Sequence, residues 1–172
     1  MFLKFIKDFA LKKIIKKSLS GYKPVADSEI INSVGILIDE SYFSDRESLI
    51  SDLVANGINE ENIKTLSFKE RVKKKEVIEY CHYTRRDISA SGVFTKEDVA
   101  EFINKPFDML ISYYDIEKAP LLLATIKSKA KFKVGFASVD KRLNNFMISS
   151  QVEKHAEFIS ELIKYLKILN KI

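Results

Sequence analysis

The stretch that decides the fold is residues 107–136, FDMLISYYDIEKAPLLLATIKSKAKFKVGF. It opens and closes with short apolar runs, Phe107–Tyr113 and Phe132–Phe136, whose lengths are typical of buried strands. Between them, Ala119–Ala130 predicts a helix with Pro120 in its first turn, where the missing N–H costs no helical hydrogen bond. A strand, a capped helix and a second strand in succession predict two parallel strands of one sheet.

The same alternation continues on both sides of this unit. Apolar runs with strand-like length or alternation predict further strands at Val34–Ile38, Ile63–Phe68, Val77–Tyr83 and Asn145–Ile148, and a last helix at Gln151–Lys171. We therefore predict an α/β fold, a Rossmann-like three-layer sandwich with five or six mostly parallel strands. A basic helix would precede it, and a long helix would end it.

The first seventeen residues carry the net charge of the chain. They contain six lysines and one aspartate, a balance of +5 that equals the formal charge of all 172 residues, so the 23 basic and 23 acidic residues that follow cancel. We predict a basic amphipathic helical arm at residues 1–20 and a single α/β domain at residues 33–172, with a polar linker between them. A cationic, apolar-rich arm on a neutral body predicts docking on something anionic.

The apolar residues of the arm do not keep to one helix face. Phe2, Phe5, Ile6 and Phe9 share a face and are the candidate apolar anchor, whereas Leu11, Ile14 and Ile15 lie on the other side. A helix that lies flat in a membrane interface would keep one apolar stripe throughout its length. The arm lysines are candidate contacts to RNA or another anionic surface: Lys4, Lys7, Lys12, Lys13, Lys16 and Lys17.

Further basic clusters lie in the body of the chain. Arg85 and Arg86 follow an aromatic residue, and Lys129 and Lys131 precede the strand that ends the deciding stretch. Arginine forks and lysines suit phosphate oxygens, so these four residues join the candidate anion contacts. A solvated charged face explains each cluster equally well when it is taken alone.

The carboxyl ends of the predicted strands offer a second candidate site. Asp39, Asp115 and Asp140 follow three different strands, and doubly wound sheets bind ligands at that edge. The same acids could instead cap the helices that follow them. None of the five glycines forms a GxGxxG or Walker loop, so we predict no nucleotide cofactor. His155 has no second histidine or cysteine at the spacing of metal ligands, and we predict no metal site. One cysteine precludes an internal disulfide, and we predict no disulfide-linked partner.

Three segments resemble a small uncharacterised protein family of Bacteroidota: the deciding stretch, the DKRLNN that begins at Asp140, and the C-terminal LIKYLKILNKI. That resemblance implies a protein of no established activity. Phe107–Ile111 and Lys131–Phe136 also resemble, more loosely, the N-terminal half of heptosyltransferase-type glycosyltransferases. The chain is half the length of such enzymes and lacks their sugar-nucleotide domain, so this likeness implies the fold alone.

These observations leave several functions open. The leading prediction is a non-enzymatic, cytoplasmic binding protein whose arm docks on structured RNA or a ribosomal particle. The alternatives are peripheral attachment to an anionic membrane through the same arm, docking on a protein partner, and a degenerate glycosyltransferase-like enzyme with its site at the carboxyl edge of the sheet. In a further alternative, the apolar face of the arm packs on its own domain and the lysines are merely solvated.

Overall fold

A computed structural model describes residues 2–25 and 29–172, so Met1 of the predicted arm and residues 26–28 of the predicted linker lie outside it. Its sheet has six strands, all parallel, in the order β3-β2-β1-β4-β5-β6. The strands are β1 Val34–Asp39, β2 Ile63–Phe68, β3 His82–Tyr83, β4 Met109–Tyr113, β5 Phe132–Phe136 and β6 Phe146–Ile148. The α-helices are α1 Phe2–Gly21, α2 Arg46–Ala55, α3 Glu97–Asn104, α4 Ala119–Lys127 and α5 His155–Ile168.

The strand order is that of a doubly wound sheet. The chain builds outward from β1 to β3, returns to lay β4 beside β1, and then builds outward to β6 in the other direction. The α/β prediction is therefore confirmed, with six strands. Ligands of such folds commonly bind beyond the carboxyl ends of the strands where the order reverses, which here lies between β1 and β4.

The two faces of the sheet bury two hydrophobic cores, because side chains alternate along each strand. In β1, Ile36 and Ile38 join the core shared with α2 and α5, whereas Leu37 joins the core shared with α1, α3 and α4. Every residue of β1, β4 and β5 is buried, as expected for central parallel strands. The result is the predicted three-layer sandwich.

Five predicted elements are shorter than their apolar patterns indicated. The helix predicted at Ala119–Ala130 ends at Lys127, and the strand predicted from Asn145 begins at Phe146. The strand predicted at Val77–Tyr83 contains only its last two residues, and Val77 is 85% exposed in the preceding loop. β3 is an edge strand whose one neighbour is β2, and the two strands pair only at His82 and Tyr83 of β3. The strand predicted from Phe107 begins at Met109, and the final helix spans His155–Ile168 within the predicted Gln151–Lys171.

Candidate anion-docking surface

Helix α1 is held to the body of the protein by its second half. Leu11, Ile15 and Leu19 recur every fourth residue, so they form one stripe along the helix. All three are buried in the core shared with α3 and α4, and Leu11 has no exposed surface. The predicted arm therefore contributes to the hydrophobic core, but through this stripe and not through the predicted apolar anchor.

Two polar contacts fix the ends of this helix. Near its start, Arg85 donates from Nε to Oδ1 of Asp8 at 2.8 Å and from a terminal nitrogen to the carbonyl of Lys7 at 2.8 Å. Just beyond its end, Nζ of Lys133 donates to the hydroxyl of Tyr22 at 2.7 Å. Arg85 was predicted as an anion contact, and the structure engages its guanidinium in positioning α1.

The side of α1 turned away from the core is exposed along its whole length. Phe2, Phe5 and Phe9 are 78%, 74% and 66% exposed, and Ile6 is 47% exposed. One and two turns later the same side carries only exposed lysines. We call this side the outward face of α1; it consists of Phe2, Phe5, Ile6, Phe9, Lys12, Lys13, Lys16 and Lys17.

The two apolar stripes of α1 thus have different surroundings. The stripe of Leu11, Ile15 and Leu19 is buried within the protein, whereas the earlier stripe of Phe2, Phe5, Ile6 and Phe9 is exposed to solvent. This division explains why the apolar pattern rotates along the helix. Monomeric proteins rarely expose several large apolar side chains together unless they form a site of interaction.

The first half of α1 also borders a cleft of about 670 Å³. We call it the basic cleft. Its other walls come from the loop after β2 and from the turn after β3, and it is lined by Leu3, Lys4, Lys7, Asp8, Glu70, Arg71, Val72, Thr84, Arg85, Arg86 and Ile88. Four of the predicted anion contacts, two from α1 and two from the turn after β3, are therefore brought to one place.

The two acids of the basic cleft already have cationic partners. Asp8 contacts Arg85 at 2.8 Å, and an oxygen of Glu70 lies 2.9 Å from Nζ of Lys118 outside the cleft. Among the residues that the structure describes, the other cations of the cleft form no ion pair: Lys4, Lys7, Arg71 and Arg86. The cleft therefore presents uncompensated positive charge.

The turn that carries Arg86 is rigid because its hydrogen bonds are reciprocal. The Thr84 hydroxyl accepts from the backbone N–H of Arg86 at 3.2 Å, and the Asp87 carboxylate accepts from the Thr84 backbone N–H at 2.7 Å. This capping box satisfies backbone groups at the start of a short 3₁₀ helix, Arg85–Asp87. The capping box therefore fixes the backbone of Arg86, whose side chain is exposed.

The remaining predicted cations lie elsewhere. Lys129 and Lys131 precede β5 at the amino edge of the sheet, whereas Arg86 follows β3 at the carboxyl edge. Lys131 contacts Glu29 at 2.6 Å and Asp108 at 3.4 Å, and Lys129 is exposed. The structure does not bring this pair to the basic cleft.

Two of the three acids at the predicted ligand edge, Asp39 and Asp140, have carboxylates that pair with cations of the protein. Asp39, at the end of β1, is almost fully buried and lies 2.9 Å from Nζ of Lys118. Asp140 forms a 2.6 Å ion pair with Arg142, whose hydrogen bonds lower the pKa of Asp140 to about 2. The backbone carbonyl of Asp115 accepts a hydrogen bond from the hydroxyl of Ser138.

Lys118 lies where the strand order reverses. Burial alone would lower the pKa of its ammonium group, but the carboxylates of Asp39 and Glu70 raise that pKa above its ordinary value. Its Nζ also lies 4.8 Å from the centre of the Tyr42 ring. A charged side chain with these contacts occupies the place beside β1 where doubly wound folds usually hold a ligand.

Comparison with known proteins gives one match. The model of a family of unknown function, DUF6913, matches residues 7–169. The chain belongs to this family. No curated protein and no solved structure matches it. Within the described residues, no helix combines the length and the apolar content that a membrane span requires.

Proposed function

We propose that this protein docks reversibly on an anionic membrane surface through the outward face of α1. The observation that carries the proposal is the exposure of Phe2, Phe5, Ile6 and Phe9 on a helix whose opposite stripe is already buried in the protein. The lysines of the same face would contact lipid phosphates while the apolar side chains enter the interface.

The composition of this face favours a membrane over an RNA duplex. A double-stranded RNA helix offers phosphates to lysines, but its bases are stacked inside and offer little apolar area to three exposed phenylalanines. An anionic bilayer accepts both kinds of side chain at once. Since the rotation of the apolar stripe follows from burial of Leu11, Ile15 and Leu19 in the core, it no longer counts against a membrane-facing helix.

The expected strength of docking is modest. Each basic residue near an anionic leaflet contributes about 1 kcal/mol. A fully buried phenylalanine side chain contributes roughly 1.5–3 kcal/mol, and less when it is only partly inserted. A single lysine or a single phenylalanine is too weak to hold the protein on a membrane, so the lysines and the apolar anchor must act together. Because the lysines act through their charge, salt should weaken the binding.

The test is co-flotation of the full chain with vesicles of phosphatidylcholine alone and of phosphatidylcholine with 30 mol% phosphatidylglycerol. We expect binding to the anionic vesicles only. F5S/F9S and K13Q/K16Q should each reduce that binding about tenfold or more, since each removes two of the contributions above. The matched controls are V77S/I168S and K129Q/K167Q, which change exposed apolar or lysine side chains outside α1 and should bind like the wild type.

Docking on RNA is the outcome that would overturn this proposal. In that case the full chain would co-sediment with ribosomal particles at low salt and would not float with anionic vesicles. K13Q/K16Q would lose the particles, whereas F5S/F9S would keep them. Equal retention of all four variants by a protein partner, with no vesicle binding, would also contradict a membrane role.

Finer predictions from the sequence belong with this proposal. A cytoplasmic location is consistent with docking on an anionic leaflet. A family that is restricted to Bacteroidota is consistent with the family of unknown function to which the chain belongs. The likeness to heptosyltransferase-type enzymes, which implies the fold alone, stays a prediction. An enzymatic site at the carboxyl edge receives no support from Asp39 and Asp140, because both carboxylates have cationic partners within the protein.

A further inference from the structure

The basic cleft is separate from the outward face of α1 and has its own chemistry. Its cations come from three parts of the chain: Lys4 and Lys7 from α1, Arg71 from the loop after β2, and Arg86 from the turn after β3. Like charges gathered around one cleft repel one another. Five cations and two carboxylates line the cleft: Asp8 pairs with Arg85, and Glu70 shares Lys118 with Asp39, so positive charge remains in excess.

The contacts that hold these cations in place are made within the protein and do not depend on a ligand. The contact of Arg85 with Asp8 ties α1 to the turn after β3, and the capping box of Thr84 and Asp87 fixes that turn. Lys7 and Arg86 are therefore held on neighbouring walls of the cleft despite their repulsion. A cluster that is built in this way is suited to an anion that arrives from outside.

We propose that the basic cleft binds a phosphate group. A guanidinium donates two parallel hydrogen bonds to phosphate oxygens, and Lys4 and Lys7 supply further charge beside Arg71 and Arg86. A phosphate monoester carries about −1.5 to −2 charges at neutral pH, which matches several cations better than a single carboxylate does. The cleft holds apolar side chains as well, from Leu3, Val72 and Ile88, so the phosphate belongs to an organic molecule.

This phosphate could come from a soluble molecule or from a lipid headgroup, and the test separates the two sources. Calorimetric titration with inorganic phosphate and with glycerol phosphate, at constant ionic strength, measures binding of a soluble phosphate. We expect binding that R71Q/R86Q weakens at least tenfold, because each charge-assisted hydrogen bond contributes about 1.5–3 kcal/mol. K4Q/K7Q should weaken it independently.

The matched control is K74Q/K75Q. These two lysines are exposed in the same loop as Arg71 but do not line the cleft, and the charge change is the same. This variant should bind both phosphates like the wild type. Binding that chloride or acetate reproduces at equal ionic strength, or that R71Q/R86Q leaves unchanged, would overturn the proposal.

Binding of a lipid headgroup is measured with vesicles of phosphatidylcholine that contain 30 mol% phosphatidic acid. If the cleft takes a headgroup, R71Q/R86Q loses affinity for these vesicles as well as for inorganic phosphate. If it takes a soluble phosphate, the variant keeps its vesicle binding and loses only the soluble ligand. The proposal does not rest on membrane docking, because F5S/F9S should keep full affinity for inorganic phosphate even where it no longer floats.

Discussion

At the residue scale, Lys133 is the least ordinary group in the protein. Only 4% of its surface is exposed, and its Nζ donates to the hydroxyl of Tyr22 and to the carbonyl of Thr125. Burial, with a smaller contribution from the charge of Lys129, lowers the pKa of Lys133 to about 7. The hydroxyl of Tyr22 stays protonated, since burial raises its pKa to about 12.

This depressed pKa gives stability a definite dependence on pH. Above pH 7 the unfolded chain keeps a proton on Lys133 that the folded protein releases, so the free energy of unfolding rises with pH by up to about 1.4 kcal/mol per unit. We expect this slope between pH 7.5 and 8.5 in urea titrations of the wild type. Lys133→Met should lack it, and parallel slopes in the two proteins would contradict the assignment.

At the element scale, α1 combines two surfaces that the sequence shows only as a rotating apolar pattern. Its buried stripe makes it a structural helix, and its outward face leaves phenylalanines in water. The two sets of side chains therefore differ in what they contribute to folding. Leu11 has no exposed surface, whereas Phe5 is 74% exposed on the same helix.

Truncating a side chain from each stripe should separate these roles. Leu11→Ala should lower the free energy of unfolding by about 2–5 kcal/mol, because it removes buried contacts and leaves a cavity. Phe5→Ala should change it by less than about 0.5 kcal/mol, as is usual for an exposed position. Urea unfolding followed by circular dichroism measures both, and comparable losses in the two variants would rule out the division.

The elements themselves were largely predictable, and their long-range placement was not. The strands at residues 34–38, 63–68 and 132–136 are apolar runs bounded by turns, so their patterns suffice. The strand predicted at Val77–Tyr83 was too long, because the extent of an edge strand depends on its pairing with a neighbouring strand rather than on its composition. Pairing of Arg85 with Asp8, 77 residues apart, decides where the basic cleft forms, and no local pattern encodes that contact.

At the scale of the whole molecule, the net charge lies on α1, most of it in the second half of the helix, while the charges of the remaining chain cancel. The core nevertheless extends into the second half of this helix. A chain that begins at Ala10 keeps Leu11, Ile15 and Leu19, whereas a chain that begins at Ser18 lacks the first two. The boundary between the exposed apolar residues and the buried stripe therefore runs through the middle of α1, and four exposed lysines lie beside the buried stripe.

Two truncations test this boundary. The chain from Ala10 loses no buried side chain of the described residues, but it loses the hydrogen bonds of Arg85 to Asp8 and to the carbonyl of Lys7, a change worth roughly 1–2 kcal/mol, so its Tm should fall by no more than about 8 °C. The chain from Ser18 loses two buried aliphatic side chains at about 2–5 kcal/mol each, so it should melt at least about 10 °C lower or fail to fold. Equal Tm values for the two chains would show that α1 folds apart from the body.

The outer strands of the sheet have a consequence for behaviour in concentrated solution. β3 has two residues and β6 has three, so each flank exposes only a few backbone groups that could pair with another sheet. Long, flat outer strands template aggregation, and short ones do not. Four longer strands between two short outer ones therefore predict that the folded chain resists fibril growth in concentrated solution.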